Sequence, residues 1–144
     1  MHLRNLFTAA CALTLGAAIA AIPASPASAG GNPWTCPAGG NKNNTWDPRG
    51  YQTLDDEAVW QRNIELRYHT GTRCAWGKIS NGSPGDSVWV DWSANGGSSW
   101  RQLSVTRIAS GYRQVYTLAH NHEALMRACG KAGNRPEVRC TDWK

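Results

Sequence analysis

The sequence predicts an all-β protein, a small antiparallel β-sandwich or open barrel with two disulfides and at most one short helix. Segments with strand periodicity recur at a spacing of roughly 10–12 residues, and clusters of turn-forming residues separate them. Four cysteines remain once an N-terminal segment is removed, and an even number of cysteines in a small exported chain indicates disulfides.

Residues 1–29 are predicted to be a signal peptide. Arg4 precedes an apolar run from Leu6 to Ile22, and Ala27 and Ala29 are the small residues that a signal peptidase site needs. Small and turn-forming residues follow the run instead of a basic flank, which disfavours a retained membrane anchor. We therefore expect cleavage after Ala29, a secreted, extracellular protein, and no membrane association after cleavage.

Cleavage changes the composition of the chain. The 144-residue sequence has five cysteines and a formal net charge of +5, and removal of Cys11 and Arg4 leaves four cysteines and a charge of +4. The single phenylalanine, Phe7, is also lost, whereas all eight tryptophans remain. We therefore expect a core of Trp, Tyr, Val, Leu and Ile. The mild positive charge favours contact with anionic surfaces but identifies none of them.

The mature chain is predicted to have two parts. Residues 30–50 are rich in Gly, Asn and Pro and are expected to form an extended N-terminal arm that Cys36 ties down. Trp34 and Trp46 are the large apolar residues of this arm. Residues 51–144 are expected to form a single β-rich domain.

Alternation of apolar and polar residues gives the strongest strand signal over residues 64–69. Residues 120–128 contain good helix formers ahead of Gly130 and are predicted as a short helix. Three consecutive acids at residues 55–57 are expected to form a solvated turn or cap. The predicted strands are residues 64–69, 73–79, 87–92, 100–108, 112–118 and 137–143.

Four cysteines allow three disulfide connectivities, and the sequence does not decide among them. We favour Cys129–Cys140, which closes a short loop rich in turn formers, together with Cys36–Cys74, which joins the arm to the second strand. The chain has no C-x-x-C pair, which disfavours a zinc site. Neither a metal nor another cofactor is expected.

Residues 93–100 resemble the Asp-box motif, S-x-D-x-G-x-[ST]-W, with Asn95 in the aspartate position. The motif is structural even in the sialidases that contain it. It therefore predicts a hairpin turn with Trp100 packed beneath it and carries no catalytic inference.

The tryptophans divide into core and surface candidates. Trp76, Trp92 and Trp100 are expected in the core. Alternation places Trp89 on the polar face of its strand beside Asp91. Exposed aromatic rings commonly mark sugar or protein contacts, although a position beneath a second sheet is an equal alternative for Trp89.

Glu65, Arg67 and His69 share one face of the first predicted strand and form the best candidate acid–base site, of the kind found in secreted ribonucleases. An ordinary polar strand face has the same composition, and we favour that interpretation. The polar group at residues 120–123 is interpreted as a solvated turn or helix start instead of a metal site. We therefore assign no catalytic residue.

Three motifs resemble the YjfA-like domain, a group of small secreted proteins that are frequent in actinobacteria and have no established function. They are I-E-L-R-Y at residues 64–68, C-A-W-G-K-I at residues 74–79 and P-G-D at residues 84–86. His69 replaces the serine that is common in this group. The resemblance extends over about residues 47–143 and implies a compact secreted β domain without an assigned activity.

We favour a secreted non-catalytic interaction module, a small adaptor subunit of an extracellular assembly such as an antibacterial toxin complex, connected through its arm. The candidate partner-binding residues are Trp34, Trp46 and Trp89. One alternative is a cell-wall or carbohydrate-binding protein that uses Trp89, and another is a small secreted hydrolase such as a ribonuclease. The expected partners are secreted proteins or cell-wall glycan, and nucleic acid is not expected.

Overall fold

The computed structural model describes Cys36 and residues 50–144. The predicted signal peptide and most of the predicted arm lie outside the described residues. The described part of the chain contains no α-helix, and hence no helix that could cross a membrane. Its strands are Tyr51–Val59 (β1), Arg62–His69 (β2), Cys74–Ser80 (β3), Ser87–Ser93 (β4), Arg101–Arg107 (β5), Val115–Tyr116 (β6), His120–Asn121 (β7), Leu125–Lys131 (β8) and Val138–Cys140 (β9).

The strands form two antiparallel sheets. In sheet A, β1, β2, β3 and β6 are neighbours in this order, and β7 also pairs with β3. In sheet B the order is β5, β4, β8 and β9. The sheets pack face to face, with β2 against β8 and with β3 against both β4 and β8. This arrangement confirms the predicted all-β fold as an open sandwich.

The core lies between the sheets because alternate residues of the central strands point inward. Ile64 and Leu66 of β2 and Val88 and Val90 of β4 are fully buried. Burial of each such side chain contributes about 1.5–3 kcal/mol. Gly130 permits the close approach of the sheets, because a Cβ atom there would lie 2.6 Å from Cδ1 of Ile64.

Both favoured disulfides are present. Cys36 is bonded to Cys74 at the start of β3, and Cys129 of β8 is bonded to Cys140 of β9. The bridges connect residues 38 and 11 positions apart in the sequence. Two disulfides are typical of proteins that mature in an oxidising compartment.

The predicted helix over residues 120–128 is wrong, since this segment contains β7 and the first half of β8. Met126 and Ala128 of β8 are fully buried between the sheets, which is the period of two expected for a strand. Pairing of β8 with both β4 and β9 outweighs the local helix propensity.

The expectation of a turn or cap at residues 55–57 is also wrong, because these acids lie inside β1. β1 is an edge strand, where charged side chains can reach water and discourage pairing with other chains. Asp55 also accepts a hydrogen bond of 2.7 Å from the backbone N–H of Asp142. The acids therefore protect an edge and attach the C-terminal segment.

The predicted strand over residues 112–118 is limited to the two residues of β6. The buried Thr117 explains why the ladder stops there. Its hydroxyl accepts the backbone N–H of Gly77 at 2.9 Å, where a strand would use a carbonyl oxygen. Thr117 thus continues the edge of β3 between β6 and β7.

Candidate functional site

The outer face of sheet B carries a group of aromatic and charged side chains that we call the tryptophan–arginine platform. It consists of Trp89, Asp91, Trp100, Arg127 and Trp143. Alternation along β4 turns Trp89 and Asp91 away from the core, and the strand register sets Asp91 opposite Arg127 of β8. The two remaining tryptophans come from the residue before β5 and from the C-terminal segment.

Arg127 is the centre of the platform. Its Cζ atom lies 4.8 Å from the ring centroid of Trp100 and 4.4 Å from that of Trp143. Its Nε donates a hydrogen bond of 3.0 Å to Oδ2 of Asp91, and Nη2 lies 2.9 Å from the same oxygen. Each cation–π contact is worth about 0.5–2 kcal/mol, so the guanidinium fixes both rings and the carboxylate.

Asp91 is buried, and burial raises the pKa of its carboxyl group. Hydrogen bonding and charge attraction from Arg127, and a hydrogen bond from Trp89, act in the opposite direction but do not cancel the effect of burial. The carboxylate is therefore already engaged inside the platform. What the platform presents to a partner is mainly the aromatic rings.

The Asp-box-like hairpin positions Trp100. Oγ of Ser93 accepts the backbone N–H of Gly97 at 2.9 Å, and Oδ1 of Asn95 accepts that of Ser99 at 2.9 Å. Gly97 has a φ of 88°, in the left-handed region that glycine adopts without strain. The predicted hairpin between β4 and β5 is thus confirmed.

The expected core position of Trp100 is wrong, since this side chain is 53% exposed. The turn directs the ring across the outer face of sheet B, where its centroid lies 6.3 Å from that of the Trp143 ring, with the two rings tilted by 57°. By contrast, Trp76 is buried as expected, and Trp92 packs half-buried against the core.

The C-terminal segment positions Trp143. Lys144 and Met126 exchange two backbone hydrogen bonds of 2.9 Å, which extends the pairing along β8 beyond β9. Nε2 of His122 lies 3.1 Å from the Lys144 carbonyl oxygen, and burial of the ring is the main cause that lowers the pKa of His122. A neutral imidazole can donate this bond, so the last residues are anchored from two sides.

Of the three expected partner-binding residues, only Trp89 is among the described residues. Trp89 lies on the outer face beside Asp91, half-buried, as alternation predicts. Trp34 and Trp46 lie outside the described residues. Sequence reasoning missed Trp100, Arg127 and Trp143, because only the register between β4 and β8 shows that Arg127 faces Asp91.

Glu65 and Arg67 belong to a tight ion cluster on the outer face of sheet A. Oε1 of Glu65 accepts from Arg67 at 2.7 Å and from the Thr53 hydroxyl at 3.0 Å, and Oε2 lies 3.2 Å from Nζ of Lys78. Burial raises the pKa of Glu65, but the two cations and the hydroxyl outweigh it and lower the pKa overall. Such a carboxylate is a weak base.

His69 stands apart from this cluster. It lies four positions after Glu65 on the same strand, which corresponds to about 13 Å. Its Nδ1 instead accepts the backbone N–H of Thr72 at 3.1 Å. The strand therefore does not bring the carboxylate and the imidazole together as an acid–base pair would require.

The two histidines of the polar segment 120–123 contact different parts of the protein. Nε2 of the buried His120 lies 2.7 Å from Oγ of Ser104, and His122 packs against the Tyr68 ring with centroids 5.2 Å apart. Within the described residues, one other group has metal-ligand composition, namely Asp91, Cys129 and Cys140. Its two sulfur atoms form a disulfide, so it offers a metal ion only the carboxylate.

The comparisons with curated proteins and with solved structures found no significant match. A comparison with protein families matched residues 30–129, which is more than half of the chain. The matched region includes β1 to β7 and most of β8, and it ends at Cys129. The chain therefore belongs to the family described as "Protein of unknown function (DUF2690)".

Proposed function

We propose that the mature chain is a secreted, non-catalytic interaction module that serves as a small adaptor in an extracellular protein assembly. The observation that carries this proposal is the tryptophan–arginine platform. Trp and Arg are enriched among the residues that dominate protein–protein binding energy. Because Asp91 already neutralises Arg127, a partner can cover the rings without burying an unpaired charge.

Three observations support secretion. The two disulfides need an oxidising compartment in order to persist. The family match begins at residue 30, directly after the expected cleavage site. The residues that resemble the YjfA-like domain also favour secretion, since that group consists of small secreted proteins.

The positions of the Cys36–Cys74 disulfide and of the platform support an adaptor with two connections. Cys74 lies on the outer face of sheet A, next to the buried Trp76, and its bond to Cys36 fixes one point of the predicted arm there. The platform lies on the outer face of sheet B, on the opposite side of the sandwich. One partner can therefore bind through the arm while another binds through the platform, as in a toxin complex built from several subunits.

Affinity capture from the culture supernatant of the source organism tests the platform. Trp100→Ala and Trp143→Ala should each reduce partner capture at least about tenfold, the effect of roughly 1.4 kcal/mol at a hot spot. Trp60→Ala is the matched control, because Trp60 is 45% exposed and is also stacked by an arginine, Arg135. Equal losses in all three variants would contradict a role of the platform.

A deletion tests the arm. Removal of residues 30–45 would also remove Cys36, so deletion of residues 30–35 is the sharper variant because it keeps the bond to Cys74. We expect loss of one captured partner and a nearly unchanged melting temperature. Capture that survives this deletion shows that residues 30–35 are not the connector.

Binding of cell-wall glycan is the second candidate function. It is favoured by Trp89, whose half-exposed indole is hydrogen-bonded to Asp91 on an open sheet face, since aromatic rings beside polar groups are typical of sugar sites. Sedimentation with purified peptidoglycan tests this candidate. Unchanged sedimentation of Trp89→Ala would exclude the ring from glycan binding.

A further inference from the structure

Three loops meet at one end of the sandwich around a single buried carboxylate, Asp86. Its Oδ2 accepts the Nε–H of Arg62 and the backbone N–H of Ser83, both at 2.7 Å. Its Oδ1 accepts the backbone N–H of Gly133 at 2.8 Å. Asp86 thus joins the β2 end of the first hairpin, the β3–β4 loop and the β8–β9 loop, and we call this arrangement the Asp86 loop cluster.

The loops of this cluster are in direct backbone contact. A Cβ atom on Gly133 would lie 2.8 Å from the carbonyl oxygen of Gly85, so only glycine fits there without movement of a loop. Several hydrogen bonds to the Asp86 carboxylate outweigh the effect of its burial, so that its pKa is lowered and it stays ionised. The cluster is therefore a rigid support.

A pocket of about 490 Å³ lies against this support. Arg62, Asp86, Arg107 and Asn134 are among its lining residues. Its volume falls within the range of small-ligand sites, which is about 300–1,000 Å³. Charged and polar groups on its walls indicate a polar ligand.

Three more cations lie at or beside this pocket: Arg107 lines it, and Lys131 and Arg135 stand on the neighbouring strand β8 and on the loop that follows it. Arg107 and Lys131 are both in register with Ser87, one on each neighbouring strand, so their side chains extend from the same face of sheet B. Arg135 stands on the adjacent loop with its Cζ 3.8 Å from the Trp60 ring centroid. Within residues 50–144 none of these three cations forms an ion pair.

A strained turn fixes the fourth cation, Arg62. Trp60 and Gln61 join β1 to β2 with φ values of 47° and 66°, in the left-handed region that non-glycine residues seldom adopt. The turn brings the Trp60 carbonyl oxygen to within 2.6 Å of Nη1 of Arg62. With Nε bonded to Asp86, the guanidinium is held before any ligand arrives, which lowers the entropic cost of binding.

We infer that this pocket is an anion site that binds a phosphate group. Asp86 offsets the charge of Arg62. Arg107, Lys131 and Arg135 then leave three positive charges at or beside the pocket. Guanidinium groups match the oxygen geometry of phosphate, and preorganised cations at a concave surface attract such anions. The phosphate can belong to a small ester or to a phosphodiester polymer of the cell wall. Ser87, at the end of β4 nearest the site, lies about 13 Å along the strand from Asp91 of the platform, and the site does not rest on the proposed function.

Titration of the mature protein at low ionic strength tests the site. The probes are inorganic phosphate, glycerol 3-phosphate and poly(glycerol phosphate), and the readout is the amide chemical shifts of Gly85 and Gly133. We expect saturable binding with a Kd on the order of 1 mM for the small probes. Tighter binding of the polymer per phosphate would identify a polymer as the source, whereas equal binding would identify a small ester.

Substitutions on β5 and β8 test the specificity of binding. Arg107→Gln and Lys131→Gln should each weaken binding about tenfold, the loss expected for one charge-assisted contact. Arg101→Gln removes an exposed arginine about 20 Å away at the other end of β5 and should leave the Kd unchanged. The inference is overturned by the absence of saturable shifts, or by equal weakening in all three variants, which would indicate only a general charge effect. Arg101 and Arg107 are exposed and Lys131 is half-buried, and none of them lies in the core, so each variant should keep the wild-type melting temperature.

Discussion

At the scale of single residues, Glu65 shows how a polar strand face can be structural. The side chain is 9% exposed, yet it remains charged because Arg67, Lys78 and Thr53 all contact its two oxygens. The same face also places the Arg67 guanidinium 4.4 Å from the Tyr51 ring centroid. A composition that suggests an acid–base site from sequence is therefore an ion cluster that joins β1, β2 and β3.

Replacing this carboxylate should destabilise the protein in a pH-dependent way. Because the pKa of Glu65 is lowered below 4.5 on folding, its contribution is complete above about pH 4.5 and is lost as the pH falls through the folded-state value. Glu65→Gln should cost about 2 kcal/mol at pH 7, since it leaves two cations without their partner. Urea unfolding at pH 7 and pH 3 measures this difference, which should shrink at the lower pH.

Glu123→Gln is the control for this effect, because Glu123 is exposed and lies in no described ion pair. It should leave the free energy of unfolding unchanged at both pH values. A Glu65→Gln deficit of the same size at pH 7 and pH 3 would mean that packing, and not charge, is what Glu65 contributes.

At the scale of elements, the local sequence pattern was sufficient to predict a strand where apolar and polar residues alternate and turn-forming residues follow. The predicted segments for β2, β3, β4 and β5 agree with the observed strands to within a few residues. The pattern failed for β1, whose acids resemble a turn, and for β8, whose local composition favours a helix. β8 pairs with β4, a strand distant in the sequence about which a local pattern contains no information. β1 forms a hairpin with the adjacent β2, but its acids are those of a charged edge strand and give no apolar alternation.

The β4–β5 hairpin allows a test of how much one side chain stabilises a turn. Ser93 is buried, and its hydroxyl contacts both the Asn95 side chain and the Gly97 N–H. Ser93→Ala should lower the free energy of unfolding by about 1–2 kcal/mol, because it leaves these groups without a partner. Ser98→Ala is the control, since Ser98 is exposed in the same turn. Chemical denaturation of both variants measures the difference, and equal effects would contradict a specific role for Ser93.

At the scale of the whole molecule, the tryptophan–arginine platform depends on contacts between strands of sheet B and between segments that are distant in the sequence. The exposure of Trp89 follows from alternation alone. The stacking of Arg127 between Trp100 and Trp143 also needs the order of strands in sheet B and the pairing of the C-terminal segment with β8. Because three separate segments contribute to the platform, the outward position of Trp89 could be predicted from the sequence, whereas the positions of Trp100, Arg127 and Trp143 could not.

The two disulfides lie on different sheets, Cys36–Cys74 at β3 and Cys129–Cys140 between β8 and β9, and their loop sizes predict unequal contributions to stability. Loss of chain entropy in the unfolded state amounts to about 4 kcal/mol for the 38-residue separation and about 3 kcal/mol for the 11-residue separation. Each bridge joins one buried and one half-buried cysteine, so the packing lost on replacement by alanine is comparable.

We therefore expect Cys36→Ala/Cys74→Ala to lower the free energy of unfolding by about 1 kcal/mol more than Cys129→Ala/Cys140→Ala does. Urea denaturation of the wild type and the two double variants, at one pH and protein concentration, measures this order. The reverse order would show that the short bridge acts mainly in the folded state, by holding β9 and the C-terminal Trp143 against β8. In that case the Cys129→Ala/Cys140→Ala variant should also lose the capture that depends on Trp143, whereas a purely entropic contribution leaves capture by the folded protein unchanged.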